Sequence, residues 1–187
     1  MRSLQPTSPK KSLVADCLNR YRDSQTFLTT FNPSNQLTFS KYPDRCFIGH
    51  APTLVTVSQT FGENITESWL EIQLRDLNEL SGCKEKMTTN QIEQIAGVII
   101  LEFYFLKVTE MMYFFTLFKA GKFGKFYGAV DAISITVALR EFLKLRQERL
   151  AQIENEQIKL AREKAYQERD QNAVSYEEYL RIKNKAI

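Results

Sequence analysis

The segment from Lys119 to Gly128 combines residue types that can bind a phosphate backbone. It reads KAGKFGKFYG and holds three lysines, three aromatic residues and three glycines between two apolar stretches. Lysines neutralise phosphates, aromatic rings stack on unpaired bases at about 1–3 kcal/mol each, and glycines let the backbone approach closely. The candidate nucleic-acid contacts are therefore Lys119, Lys122, Phe123, Lys125, Phe126 and Tyr127.

The same segment can instead be a corner between two helices. In that interpretation Gly121 ends the preceding helix, and the aromatic rings fold back into the core. The lysines then interact favourably with a helix C-terminus and contact no ligand. The sequence leaves both interpretations open.

Metal binding and catalysis lack the residues that they need. Cys46 and His50 have a spacing that one half of a zinc site can use, but the other half would have to come from Cys17 and Cys83, which are distant in sequence. His50 is the single histidine, and the chain has no nucleophile signature, Walker A sequence or GxGxxG motif. We therefore expect no enzymatic activity, no cofactor and no metal site.

Composition and charge are typical of an intracellular globular protein. The 187 residues are 43% hydrophobic with a net charge of +3, which allows one domain with an extension. Three cysteines without close pairing favour a reducing compartment, and the N-terminus has no apolar signal segment. The apolar stretch Ile95–Phe118 is divided by Glu102, Lys107 and Glu110, which argues against a membrane span. We expect a cytoplasmic protein without a membrane partner.

The elements that position the lysine segment are predicted to be helices. Residues 1–12 are predicted to be a disordered basic arm, 13–28 a short helix and 29–52 a turn-rich loop. After this loop, the sequence predicts a helix over Thr53–Phe61 ended by Gly62, then a helix capped by Thr66 or Ser68 and stopped by Gly82. A third helix is capped by Thr88 and Thr89 and ends at a break near Lys107-Val108-Thr109. An apolar helix over Met111–Phe118 and a long last helix opened by Asp131 or Ser134 follow.

This pattern predicts an all-α fold, a compact helical bundle from which a long C-terminal helix extends. The expected organisation is a basic arm, short helix and loop over residues 1–52, a helical core domain over 53–145 and a charged helical extension over 146–187. In the extension, Leu150, Ile153 and Leu160 fit a heptad seam with polar residues at its other positions, so this helix is either weakly paired or simply solvated.

Two stretches resemble a known family. They are WLEIQLRDLNELSGCKEK over Trp69–Lys86 and LEFYFLKVTEMMYFFTLFKAGKFGKFYGAVD over Leu101–Asp131. They are similar to an uncharacterised family of small proteins from Bacteroides-type bacteria and their mobile elements, over about residues 53–147. Phe123 stands where Tyr is common in that family. The resemblance implies a domain of unknown function and brings no activity with it.

Two functions follow as expectations. The first is a non-enzymatic intracellular adaptor in nucleic-acid transactions, of a replication or mobile-element accessory type, with the lysine segment as its contact. The alternative is a protein–protein or self-assembly module that acts through Leu150, Ile153 and Leu160 without nucleic acid. Phosphate contacts weaken steeply with ionic strength and an apolar seam does not, so salt dependence separates the two.

Overall fold

A computed structural model of the chain describes residues 9–80, 86–124 and 132–171, together with the single positions 177 and 181. The chain is all-α, as predicted. The helices are α1 (Pro9–Tyr21), α2 (Ser24–Thr30), α3 (Gln36–Ser40), α4 (Pro43–Ile48), α5 (Leu54–Phe61), α6 (Glu63–Leu80), α7 (Thr89–Phe103), α8 (Val108–Lys119) and α9 (Ala132–Gln171), with a 3₁₀ turn over Pro33–Asn35.

Local capping signals place several helix ends where the sequence predicts them. The Thr53 side chain accepts a hydrogen bond from the Thr56 amide and begins α5, and Gly62 ends it with a φ of 100°. Thr88 and Gln91 form a reciprocal capping box at the start of α7. Lys107 is the N-cap of α8, so this helix begins at Val108, inside the predicted break and three residues before the predicted start at Met111. The structure therefore confirms the ends at Thr53, Gly62 and Thr88 and moves the start of α8.

The prediction for the first 52 residues is wrong in its main part. The segment predicted to be a loop contains α3, α4 and the end of α2, and α1 already begins at Pro9, inside the predicted disordered arm. Two of the prolines that suggested a loop, Pro33 and Pro43, begin a 3₁₀ turn and a helix instead, because Pro at the first helical position lacks an N–H that the helix would leave unpaired. Pro43 stands at this position in α4. The single helix predicted over 13–28 is broken at Arg22, whose φ is 61°.

The start of α6 also differs from the prediction. The helix begins at Glu63, directly after Gly62, and not at Thr66 or Ser68. Thr66 is fully buried, and its hydroxyl accepts a hydrogen bond from Ser58 Oγ at 2.9 Å, so it joins α6 to α5. Asp131, one of the two residues expected to open the last helix, lies outside the described residues.

The core is built around α8, which is apolar on nearly every side. Met111, Phe114, Phe115 and Phe118 are buried in it, and α3, α4 and α6 pack against it. Phe142 of α9 closes this cluster, with its ring centroid 5.6 Å from that of Phe114. A helix without a polar face belongs at the centre of a helical domain, as its sequence predicts.

A buried polar junction joins α2, α3 and α6. The backbone carbonyl of Phe31 accepts hydrogen bonds from Trp69 Nε1 and from Gln73 Nε2, both at 2.8 Å. Gln73 Oε1 accepts a further bond from Gln36 Nε2 at 2.7 Å. Because each of these groups is buried and has a partner, the junction fixes the register of the first helices on α6.

Contacts divide the chain into two units, residues 1–147 and 148–187. The first contains α1 to α8 and the beginning of α9. In the second, α9 continues to Gln171, and every side chain from Glu154 to Asp170 is exposed. None of the helices in the described ranges is long and apolar enough to cross a membrane.

The polar junction predicts the effect of replacing Gln73. We expect Gln73→Leu to lower the free energy of unfolding by about 1–3 kcal/mol, because Gln36 then loses its buried acceptor. The measurement is equilibrium unfolding in urea at neutral pH. Gln59→Leu on the exposed face of α5 is the matched control and is expected to change the free energy by less than about 0.5 kcal/mol. Equal effects of the two substitutions would contradict the role given to the junction.

Candidate nucleic-acid interface

The described half of the lysine segment is a helix corner. Lys122 N donates to the Leu117 carbonyl and Gly121 N to the Phe118 carbonyl, the two hydrogen bonds of a Schellman ending of α8. Gly121 and Gly124 have φ angles of 74° and 114°, which only glycine adopts without strain. Both residues are exposed, and nothing lies within 4 Å of where a Cβ of Gly124 would be. The chain turns here with its backbone open to the surroundings.

Lys119 is held inside this corner by a pair of partners. Its ammonium group forms an ion pair with the carboxylate of Asp76 on α6 and donates to Gln36 Oε1 at 2.8 Å. Only 17% of the Lys119 side chain is exposed. The charge of this predicted phosphate contact is therefore already balanced, and Lys119 connects the corner to the buried polar junction.

Phe123 also faces inward. Its ring centroid lies 5.5 Å from that of Phe114 and 6.5 Å from that of Phe118. The ring therefore covers the end of the aromatic core, as the corner interpretation expects. Its packing there leaves it poorly placed to stack on a base.

Lys122 differs from Lys119 and Phe123, because it is exposed at the tip of the corner between the two glycines. The remaining predicted contacts, Lys125, Phe126 and Tyr127, lie outside the described residues. Lys122 is thus the predicted contact that the described structure leaves on the surface.

A second basic and aromatic group, absent from the sequence prediction, lies on the helices that pack against α8. Lys41, Tyr42 and Arg45 are exposed at the junction of α3 and α4, and the Arg45 guanidinium lies 4.8 Å from the centroid of the Tyr42 ring. Tyr42 is 59% exposed, so it is accessible to a ligand. An exposed ring between cations is the arrangement that single-stranded nucleic acids use for stacking. The sequence Lys-Tyr-Pro-Asp-Arg contains all three residues and could have predicted this group, but its composition is also typical of a turn.

This group is joined directly to the helix that ends in the corner. Ser40, the last residue of α3, donates a hydrogen bond to Thr116 Oγ1 at 2.7 Å. The Thr116 carbonyl in turn accepts from the Ala120 amide, two residues before Lys122. We call Lys41, Tyr42, Arg45 and Lys122 the basic-aromatic surface.

A cleft of about 640 Å³ lies between α1 and the segment after α4. The cationic side chains that line it, Arg20 and Lys107, form hydrogen bonds within the protein. Arg20 Nη1 donates to the His50 carbonyl at 2.9 Å, and Lys107 Nζ donates to the carbonyls of Phe47 and Gly49. These bonds tie the end of α4 and the chain after it to α1 and to the start of α8. Because backbone carbonyls take these donors, the cleft is a weaker candidate site than the basic-aromatic surface.

A buried carboxylate organises the charged groups at the start of α8. Glu110 is fully buried, its Oε2 accepts from the Lys107 amide at 2.8 Å, and its Oε1 accepts from Arg146 Nε at 2.7 Å. Burial raises the pKa of the Glu110 carboxyl, against the opposing effects of the Lys107 amide and Arg146. Burial likewise lowers the pKa of the Lys107 ammonium, although the negative charge of Glu110 opposes this.

The cysteines of the hypothetical zinc site do not come together in the described structure. Cys17 and Cys46 are buried free thiols, and Cys83 lies outside the described residues. Burial, followed by the charge of Glu110, raises the pKa of the Cys46 thiol to about 11, and its Sγ donates to the Phe39 carbonyl. In the described ranges, no three His, Cys, Asp or Glu side chains are grouped so that they could hold a metal ion.

Comparison with protein families gives one finding. The model of a family described as "Family of unknown function (DUF6633)" matches residues 86–186. The matched region thus begins and ends later than the resemblance over 53–147 suggests. It includes α7, α8 and most of the second unit, but not Trp69–Leu80 of α6. Comparison with curated proteins and with solved structures gave no match.

The buried carboxylate predicts a specific dependence of stability on pH. Because the folded pKa of Glu110 is raised, the folded state binds its proton more tightly than the unfolded state does. The resulting stability is fully present below the unfolded pKa, about 4.3, and is lost as pH rises through the folded pKa. We expect the free energy of unfolding of the wild type, relative to Glu110→Gln, to decrease across this interval by about 1.4 kcal/mol for each unit of pKa difference.

The measurement is urea unfolding of both proteins from pH 4 upward. Glu141→Gln is the control, because Glu141 pairs with Lys144 on the exposed face of α9. Its effect on the free energy of unfolding is expected to stay within about 0.5 kcal/mol, as for other exposed ion pairs. A wild-type advantage over Glu110→Gln that grows with pH would mean that Arg146 outweighs burial.

Proposed function

We propose that this chain, which belongs to the DUF6633 family of unknown function, is a non-enzymatic adaptor in nucleic-acid transactions, of a replication or mobile-element accessory type. The observation that carries the proposal is the basic-aromatic surface of Lys41, Tyr42, Arg45 and Lys122. Its ligand is a single-stranded nucleic acid, because an exposed ring stacks on bases that are not paired.

The surface offers the two interactions that this ligand needs. Lys41, Arg45 and Lys122 are exposed cations that can neutralise phosphates, and release of counterions drives that step. The Arg45 guanidinium already lies against the Tyr42 ring, so this pair meets a base in a defined geometry. At the corner, the open backbone at Gly121 and Gly124 lets a strand pass close to Lys122.

Two of the originally expected contacts act differently in this proposal. Lys119 and Phe123 position the corner, the first through Asp76 and the second through Phe114. Lys125, Phe126 and Tyr127 remain proposed contacts that extend the surface along the chain.

The proposal gives the protein no catalytic step. Of the ionisable groups that could serve one, the buried Glu110 carboxylate accepts hydrogen bonds from the Lys107 amide and from Arg146. The partly buried Lys107 ammonium donates to the carbonyls of Phe47 and Gly49. Free buried thiols at Cys17 and Cys46 support a reducing, cytoplasmic location as part of the proposal.

The test is binding of the purified chain to labelled single- and double-stranded DNA and RNA. We expect single strands to bind more tightly than duplexes and the affinity to fall steeply between low and physiological salt. The double variant Lys41→Ala/Lys122→Ala is expected to reduce the slope of log affinity against log salt by about 1–2, and Tyr42→Ala to cost about 1–3 kcal/mol of binding free energy.

Lys159→Ala/Arg162→Ala is the matched control for loss of two positive charges. Both side chains are exposed on the part of α9 that belongs to the second unit. Its affinity and salt slope are expected to match those of the wild type. No binding at low salt, or equal losses in the control and in the test variants, would refute the proposed interface.

A second candidate function is self-assembly through the second unit. Leu160 is 57% exposed and Ile158 is 43% exposed on a helix whose other side chains there are mostly charged or polar. Of the three expected contacts, Ile153 is only 8% exposed and Leu150 is partly exposed, so Leu160 is the one most available to a partner.

This alternative predicts a concentration-dependent mass. Under it, sedimentation velocity shows a dimer or larger species that Leu160→Glu converts to monomer, with little change at high salt. Tyr166→Glu, also on the exposed part of α9, is the control. A monomer at all concentrations rules out self-assembly and leaves the nucleic-acid proposal unaffected.

A further inference from the structure

The C-terminal half of the outward face of α7 is apolar although nothing in the described structure covers it. Val98 is 41% exposed and Leu101 is 73% exposed, and Tyr104 and Phe105 follow the helix at 51% and 38%. The first half of this face is polar, with Asn90 and Gln94 exposed. The opposite face of the same helix is buried in the core through Ile92, Ile95, Ala96, Ile99 and Phe103. The second half of the helix is therefore apolar on two sides, and only one of them is explained by the fold.

Gly97 lies within this face and has no role in the fold. A Cβ built on it would meet nothing within 4 Å, and its φ is not positive. A glycine in the middle of a helix costs about 0.5–1 kcal/mol relative to alanine, so the fold itself would be better served by alanine. Its effect on the surface is a flat position among large side chains, where the backbone of another helix can approach closely.

The spacing of the face is that of a helix-packing surface. Within α7, Leu101 follows Gly97 by four residues and Val98 by three, which places these residues on one stripe, and Phe105 follows just beyond the end of the helix. The 15 residues of α7 correspond to a length of about 22 Å. The backbone N–H groups along the stripe are bonded within the helix, so a strand has no edge to pair with.

Acidic residues border the stripe. Glu93 and Glu102 are exposed, and helical spacing places them on opposite edges of it. No lysine or arginine occurs on α7, and α6, which packs against it, carries five acids against Arg75 alone. An occupant of this face therefore meets an apolar centre between negative charges.

We propose that the α7 stripe docks an amphipathic helix of a partner protein, one whose apolar side is flanked by lysine or arginine. The apolar side packs across Gly97 against Leu101 and Phe105, and the basic flanks meet Glu93 and Glu102. The same charges disfavour other occupants. An anionic membrane surface is repelled, and a second copy that presents the same stripe brings glutamates against glutamates. The inference is independent of the basic-aromatic surface and gives the protein a second surface of opposite charge.

The experiment uses the full chain and two synthetic helical peptides. Both peptides carry leucines at intervals of three and four residues, and they differ only in having lysines or glutamates on the flanks. We expect the lysine peptide to bind the wild type at least tenfold more tightly than the glutamate peptide in fluorescence anisotropy. Leu101→Ala/Phe105→Ala is expected to weaken this binding at least tenfold.

A charge exchange separates docking from non-specific attraction. In Glu93→Lys/Glu102→Lys, the preference is expected to reverse, so that the glutamate peptide binds better than the lysine peptide. Leu37→Ala is the matched control, because Leu37 is 71% exposed on α3 and lies outside the stripe. All the substituted side chains are at least partly exposed, and circular dichroism checks that each variant is folded.

Several results would overturn the inference. These are equal binding of the two peptides, an unchanged preference in the charge exchange, or equal losses in the Leu37 control. Binding to vesicles of anionic phospholipid that requires Leu101 would assign the stripe to a membrane. A dimer that Leu101→Ala dissociates would assign it to a second copy. Nucleic-acid binding by the same variants is measured in parallel, so failure here leaves the proposed function separately testable.

Discussion

The first unit depends on the hydrogen bonds and the ion pair of one buried carboxylate, that of Glu110. This carboxylate closes the N-terminus of α8 through the Lys107 amide and holds α9 through Arg146. The Lys107 ammonium in turn donates hydrogen bonds to the carbonyls at the end of α4. One carboxylate therefore connects the position of the central helix to the two elements that enclose it. Removing either Arg146 or the carboxylate is costly, because the partner that stays in this partly buried group loses its charge-assisted hydrogen bond.

The basic-aromatic surface is a consequence of how the other end of α8 is built. Gln36 of the buried polar junction accepts a hydrogen bond from Lys119, and Lys119 also forms an ion pair with Asp76. This chain of contacts keeps one lysine inside and turns the next one, Lys122, outward. The Ser40–Thr116 bond brings the α3–α4 junction to the same helix. The candidate site is thus assembled from residues that are 81 positions apart between Lys41 and Lys122.

Sequence reasoning succeeded where the cause is local and failed where it is distant. Gly62 and Thr88 mark helix ends because capping depends on neighbouring residues. The pairing of Lys119 with Asp76 spans 43 positions, and no local pattern announces it. The α1–α4 region was misread because its short helices depend on burial of Phe27 and Phe31, which overrides weak local propensity. Periodicity also does not show whether the apolar residues Val98 and Leu101 of α7 are covered, and the structure shows that they are exposed.

The exposed part of α9 has a consequence for how the molecule unfolds. From Glu154 to Asp170 its side chains make no buried contacts, so its helicity depends on local propensity and on charge pairs along the helix. Such a helix frays progressively with temperature, whereas the first unit has a packed aromatic core. Ellipticity at the helix band therefore mixes a gradual and a cooperative process, and one melting temperature does not describe the chain. Near-ultraviolet signals from Trp69, buried in the core, report the cooperative process alone.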